Sequence, residues 1–167
     1  MNLTGIELRR IAMPLRSPFR TSFGTETDRD ILLIRAVTDR AEGWGECVAL
    51  REPLYSSEYV DAALDVLRRF FVPAVMAAGP LRATDVAGVL APFKGHRMAK
   101  AALEAAVLDV ELRAEGRSFA RELGAVKDRV PSGVSIGIMD SIPQLLDAVD
   151  GYLAQGYLRI KLKIEPG

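Results

Sequence analysis

The sequence predicts an α+β domain, made of a three-stranded antiparallel meander and helices, followed by a β-α-β unit that belongs to a larger sheet or barrel. Three observations carry this expectation. Three short runs before residue 50 read as strands, the first of them alternating loosely between apolar and polar residues. From residue 57 to residue 124 the apolar residues recur at helical spacing. Between Val130 and Ile164, strand-like, helix-like and strand-like segments follow one another.

Taken in order, residues 3–13 set Ile6, Leu8 and Ile11 against Glu7, Arg9 and Arg10, which describes a strand with one buried face. Pro14 and Pro18 are expected to interrupt it, with a loop over Thr21 to Thr27. Asp30 to Thr38 and Gly43 to Ala49 read as two further strands around a turn at Asp39 to Glu42. Ser57 to Phe71 places Val60, Ala63, Leu64 and Leu67 at helical spacing behind a serine cap. A second helix is expected after Thr84 as its N-cap. A third is expected over about Arg97 to Glu115, with Gly116 as its stop.

On that third helix Arg97, Lys100, Glu104, Glu111 and Glu115 form a charged stripe roughly 60° wide, the rest of the circumference being largely apolar and buried. Asp109 and Arg113 lie off the stripe and four residues apart. They are expected to pair with each other on an otherwise apolar side.

After Gly124, Val130 to Ile138 reads as a strand. Ser141 to Leu153 reads as a helix with Ser141 as cap and Pro143 in its first turn, and Tyr157 to Ile164 as a second strand. Strands joined by a helical crossover are parallel neighbours, and parallel strands need cover on both faces.

Composition excludes several functions. The chain has 167 residues, with 22 basic and 22 acidic side chains, so no net positive field draws it to nucleic acid or to an anionic membrane. No run approaches the ~18 apolar residues of a membrane span. One cysteine, Cys47, cannot form an internal disulfide, and one histidine, His96, cannot build a histidine metal cluster; a cytoplasmic setting is expected. His96 reads as a loop or capping residue and Cys47 as an inert core residue. No phosphate-binding glycine loop and no serine-nucleophile elbow is present.

Two features point to chemistry. In Arg159 to Ile164, period-two alternation sets Ile160, Leu162 and Ile164 on one face and Lys161 and Lys163 on the other. The hexamer allows either an edge strand with its lysines in water or an enclosed pair at a strand end. In the enclosed case one deprotonated amine removes a proton from carbon while its charged neighbour stabilises the enolate oxygen. Separately, Phe19, Phe23 and Tyr55 are expected in two loops flanking the meander. There they either bind a ligand or pack on their own domain.

These features, in this order, resemble the enolase superfamily: Gly43-Trp44-Gly45-Glu46-Cys47 in the meander, the helical stretch Met98 to Gly124, and the β-α-β unit that ends on Lys161-Leu162-Lys163. PFRTSFGT from Pro18, PLYSSEY from Pro53, FKGHRMAK from Phe93 and the terminal RIKLKIEPG are similar to its N-acylamino acid racemase and o-succinylbenzoate synthase group. The resemblance implies a capping domain over residues 1–125. Residues 126–167 would then be the first strand, helix and second strand of a modified TIM barrel, (β/α)7β. It implies abstraction of the proton α to a carboxylate through an enolate, with Lys163 as the acid/base lysine and Lys161 supporting the enolate.

By the same resemblance Phe19 and Tyr55 map to capping loops that close over the substrate, Leu50 to a specificity loop beside them, and Ser135 to the end of the first barrel strand. The expected partner is a small-molecule carboxylate, and the expected assembly a homo-oligomer. A divalent metal, usually Mg2+, is implied, with its carboxylate ligands beyond residue 167. A complete barrel takes about 250 residues, so this length by itself is expected to be inactive. Muconate cycloisomerisation, dipeptide epimerisation and a non-catalytic α/β interaction module are the other readings the sequence leaves open.

Overall fold

The structure is a computed structural model that describes residues 1–165; Pro166 and Gly167, the end of the RIKLKIEPG run, lie outside the described residues. Strands β1 (Gly5–Thr21), β2 (Gly24–Val37) and β3 (Glu42–Cys47) form one sheet in the order β1-β2-β3. β2 and β3 pair antiparallel, with Leu32 opposite Cys47, Ile34 opposite Gly45 and Ala36 opposite Gly43. Leu32, Ile34, Ala36 and Cys47 are buried, as period-two alternation requires of one face.

The expected break at Pro14 and Pro18 does not occur, and Thr21 to Thr27 is not a loop. β1 runs straight through both prolines, and only Ser22 and Phe23 turn the chain into β2. The reason lies in the sheet order. β1 is an edge strand, both prolines are exposed, and their even spacing puts both missing N–H groups on the same side of the strand. Phe19 therefore sits on a strand and not in a loop.

The chain divides into two compact units, the first comprising Met1–Met13 with Asp30–Ala125 and the second Pro14–Arg29 with the chain from Val126 on. In the first, helix α1 (Val60–Val66) continues through a π-helical turn (Leu67–Phe71) into α2 (Val72–Ala77). The expected helix thus extends past Phe71, and the wide turn precedes Pro73, which cannot donate to the helical ladder. Its cap is not a serine. Tyr59 is extended and bridges to Leu50, with the Val60 amide donating to the Leu50 carbonyl at 2.8 Å, so the helix starts later than expected. Helix α3 (Ala83–Val89) has Arg82 and not Thr84 as its N-cap, so it starts earlier than expected. The Asp85 carboxylate accepts from the Arg82 amide at 2.7 Å.

Helix α4 (Arg97–Glu115) has the expected bounds. Gly116 ends it in the left-handed region at φ 65°, with the Arg117 amide returning to the Leu112 carbonyl at 2.9 Å. At the other end His96 is also left-handed, at φ 52°, and its side chain makes no cap. Glu58 caps the helix from elsewhere in the chain, accepting from the Arg97 and Met98 amides at 2.7 and 2.9 Å.

Glu111 does not belong to a solvated stripe. It is 8% exposed, accepts from Arg82 at 2.7 Å, and accepts from the Ala83 amide at 2.8 Å, so it caps α3 from α4. Burial raises its carboxyl pKa, but the Ala83 amide and Arg82 outweigh that and hold it below the ordinary value. Asp109 and Arg113 do pair, at 2.9 Å, yet the pair is partly exposed; Asp109 also accepts from the Trp44 amide at 2.8 Å and so ties β3 to α4.

Gly43 and Gly45 let β3 lie against α4. A methyl group on Gly43 would stand 2.1 Å from the Val110 nitrogen, and one on Gly45 would stand 2.0 Å from the Ala102 oxygen. Leu32, Ile34, Val60, Leu67, Phe71, Leu103 and Val107 fill the core beneath. Cys47 is buried there as a free thiol, and burial pushes its pKa up, which keeps it from acting as a nucleophile. A short helix α5 (Phe119–Glu122), capped by Ser118, completes this unit.

In the second unit β4 (Val134–Ile136) and β5 (Ile160–Leu162) pair in parallel around helix α6 (Ile142–Ala154). Both strands are shorter than the expected Val130 to Ile138 and Tyr157 to Ile164, because only three residues of each pair in the ladder. Ser141 caps α6, accepting from the Gln144 amide at 3.4 Å, with Pro143 in the first turn as expected. Among the described residues no helix is long and apolar enough to cross a membrane.

Candidate functional site

The register of β4 and β5 sets the site. Val134 lies opposite Ile160, Ser135 opposite Lys161 and Ile136 opposite Leu162, and the Lys163 amide continues the ladder to the Ile136 carbonyl at 3.0 Å. Residues facing each other across a parallel ladder share a face, and every second residue along a strand returns to it. Ser135, Lys161 and Lys163 therefore line one side, roughly 7 Å apart along β5 for the two lysines. The opposite side carries Ile136, which is 2% exposed.

The end of the β1-β2 hairpin belongs to the same unit. The Ile138 amide donates to the Arg20 carbonyl at 3.0 Å, which lays β1 beside the chain leaving β4. Phe19 is thereby held with its ring centroid 6.0 Å from the Lys163 Nζ, a cation–π distance. Lys163 is half-buried, whereas Lys161 and Ser135 are exposed.

Phe19, Ser135, Lys161 and Lys163 are thus brought into one unit from two distant segments. Leu50 and Tyr55 belong to the first unit, in the segment that leads from β3 to α1. Leu50 is half-buried beside Tyr59, and Tyr55 is exposed on an irregular stretch. His96 sits at the start of α4 in a T-shaped contact with Phe71, 6.3 Å between ring centroids, in a structural position.

Neither Arg20 nor Gly137 stands out in the sequence. Arg20 pairs with Asp140 at 2.9 Å and with Glu165 at 3.1 Å. Gly137, two residues beyond Ser135, faces Phe19 and Arg20 so closely that a methyl group on it would stand 3.1 Å from the Arg20 nitrogen and oxygen. The only local signal is a glycine at a strand end next to a long-range partner.

Chemically, two amines and a hydroxyl on one face can bind an anionic group, and a deprotonated amine there can accept a proton from carbon. A metal is another matter. Among the described residues no group of three or more His, Cys, Asp or Glu side chains could hold an ion. The Mg2+ that the resemblance implies finds no ligand set among the described residues 1–165.

Residues 4–124 match the family described as mandelate racemase / muconate lactonizing enzyme, N-terminal domain. The chain belongs to this family. Its fold agrees with that of a family relative of known structure, a member of the enolase superfamily from Listeria innocua, at a TM-score of 0.91 and 34% identity over 99% of this chain and 45% of that one. Across its full length the chain is 66% identical to the N-succinylamino acid racemase of an Amycolatopsis species, covering 45% of that protein. It is 39% identical over 163 residues to the o-succinylbenzoate synthase of Bacillus subtilis, covering 97% of this chain and 44% of the synthase. The chain spans less than half the length of these curated relatives. The family's N-terminal domain is the α+β capping domain expected from the meander and helices.

Proposed function

We propose that this chain forms the cap and the first two barrel strands of an enzyme that abstracts the proton α to a carboxylate, as an N-acylamino acid racemase, an o-succinylbenzoate synthase, or both. The single observation that carries the reading is the register that aligns Ser135, Lys161 and Lys163 on one face with Phe19 over Lys163. The 66% identity to an N-succinylamino acid racemase supports the choice of substrate class.

In this reading the deprotonated Lys163 amine takes the α-proton and leaves an enolate. The Lys161 ammonium, on the same face, faces the negative oxygen and lowers its energy. Phe19 excludes water from the Lys163 amine, and Ser135 orients the substrate from the neighbouring strand. The family resemblance assigns Leu50 and Tyr55 to acyl and side-chain preference. Residues 1–125 act as the cap, and residues 126–167 open the barrel. A single cysteine, buried as a free thiol, supports a cytoplasmic setting, and the family resemblance supports a homo-oligomer.

The test is made on the whole protein with Mg2+ supplied and an N-succinylated amino acid in D2O. Exchange of the α-proton, followed by NMR, is expected to fall about 10²- to 10⁴-fold in Lys163→Ala. Exchange at the parent rate in that variant would overturn the assignment. Parallel turnover of the synthase substrate separates the two activities.

A further inference from the structure

Resting on the assignment of Lys163 above, we infer that Arg20 is a positioning residue that latches the end of the β1-β2 hairpin so that Phe19 stays over the Lys163 amine. Phe19 is only two residues from the end of an edge strand, and an edge strand near a hairpin turn frays unless something holds it. Three contacts converge on Arg20. Its carbonyl accepts from the Ile138 amide at 3.0 Å, its Nη1 donates to Asp140 Oδ1 at 2.9 Å, and its Nη2 donates to Glu165 Oε1 at 3.1 Å.

The two carboxylates come from different places. Asp140 follows β4, the strand of Ser135, and Glu165 lies just past Lys163 on the segment that leaves β5. One guanidinium therefore ties the hairpin to the ends of both strands that carry the site. A planar fork with separate donors can reach two carboxylates at once, which a single ammonium does less well.

Gly137 completes the device. A methyl group there would stand 3.1 Å from both the nitrogen and oxygen of Arg20 and 3.5 Å from the Phe19 Cδ2. The absent side chain leaves room for Phe19 and Arg20 to lie beside the end of β4, the strand that bears Ser135. The ion pairs themselves are exposed, with Arg20 at 43% and Asp140 at 81%, so they contribute little to fold stability. Their effect is on where Phe19 sits.

The test is a double-mutant cycle in the whole protein, read as kcat/KM for racemisation of an N-succinylated amino acid with Mg2+ supplied. Arg20→Ala is expected to lower kcat/KM about tenfold, the size expected when two exposed ion pairs are lost. Arg20→Lys is expected to recover part of that. In the Phe19→Ala background, Arg20→Ala should change kcat/KM by less than about twofold, because its effect passes through Phe19. Asp140→Asn combined with Glu165→Gln leaves Arg20 in place, so it serves if Arg20→Ala fails to fold. It should reproduce the loss and also lose it in the Phe19→Ala background. Equal losses in both backgrounds, or no loss at all, would overturn the latch. Full activity in Lys163→Ala, run alongside, would instead overturn the assignment of the lysine.

Discussion

Gly45 of β3 faces Ala102 of α4 so closely that a methyl group on the glycine would stand 2.0 Å from the Ala102 carbonyl oxygen. The obstacle is helix backbone, which cannot swing aside as the end of a side chain could. Gly45→Ala is therefore expected to separate β3 from α4 and cost about 3 kcal/mol, read as a lower urea midpoint of the 167-residue chain. Gly88→Ala is the contrasting case. Gly88 lies in α3 with nothing within 4 Å of the added methyl, so that change should stabilise by roughly 0.5 kcal/mol. Equal effects of the two would sink the argument from close approach.

Glu111 and its two partners allow a second prediction, in which magnitude decides between effects. Arg82 is 64% exposed on its side chain, so its ion pair contributes at most about 1 kcal/mol. The Ala83 amide is buried and has Glu111 as its acceptor, and an unsatisfied buried amide costs about 1–3 kcal/mol. Glu111→Ala should accordingly destabilise by about 2 kcal/mol and Arg82→Ala by less than half as much. Denaturant titration of both variants checks the order, and the reverse order would refute it.

How far the sequence disclosed these features depends on how far away the deciding partner lies. The stop at Gly116 and the cap at Ser141 are local, and both are where the residues imply. Glu111 looks like one more charge in a helical stripe until its partner, an amide 28 residues back, is known. The prolines of β1 look like breakers because their cost depends on which side of the strand the neighbour lies, and spacing does not contain that. Within the candidate site, alternation along β5 was enough to pair Lys161 with Lys163. Placing Phe19 over Lys163 needed the hairpin to meet the end of β4 across more than a hundred residues, and nothing local encodes that meeting.

Acid should weaken the first unit, and the sign follows from two carboxylates. The Arg10 guanidinium holds Asp30 below its ordinary value of 3.8 despite partial desolvation. The Ala83 amide and Arg82 outweigh burial to hold Glu111 below 4.5. A carboxyl whose folded pKa is depressed contributes its full stability above the unfolded pKa and loses it as pH falls through the folded one. The urea midpoint should thus be level from pH 7 to about pH 5 and fall below about pH 4. Glu111→Gln should start lower at pH 7 and fall less steeply. A midpoint that rose on acidification, or a variant curve parallel to the parent, would contradict this.

The two units should also differ in how firmly they hold their amides. The first packs Leu32, Ile34, Leu67, Phe71, Leu103 and Val107 at 0% exposure, whereas Ile136 is the only apolar residue of the second so deeply buried among the described residues. Local opening is cheapest where little apolar surface is covered. In the 167-residue chain, hydrogen–deuterium exchange of β4, β5 and α6 should therefore run at least about tenfold faster than that of β2 and α4. Leu158 and Ile164 are 87% and 84% exposed around β5, and Ile142 and Leu146 are 73% and 56% exposed on α6. If further barrel strands cover these residues in the whole protein, as proposed, the same peptides should slow there while those of α4 keep their rate. Slow exchange of β5 in the 167-residue chain would show that this unit is stable without that cover, and would remove the structural reason for assigning it to a larger barrel.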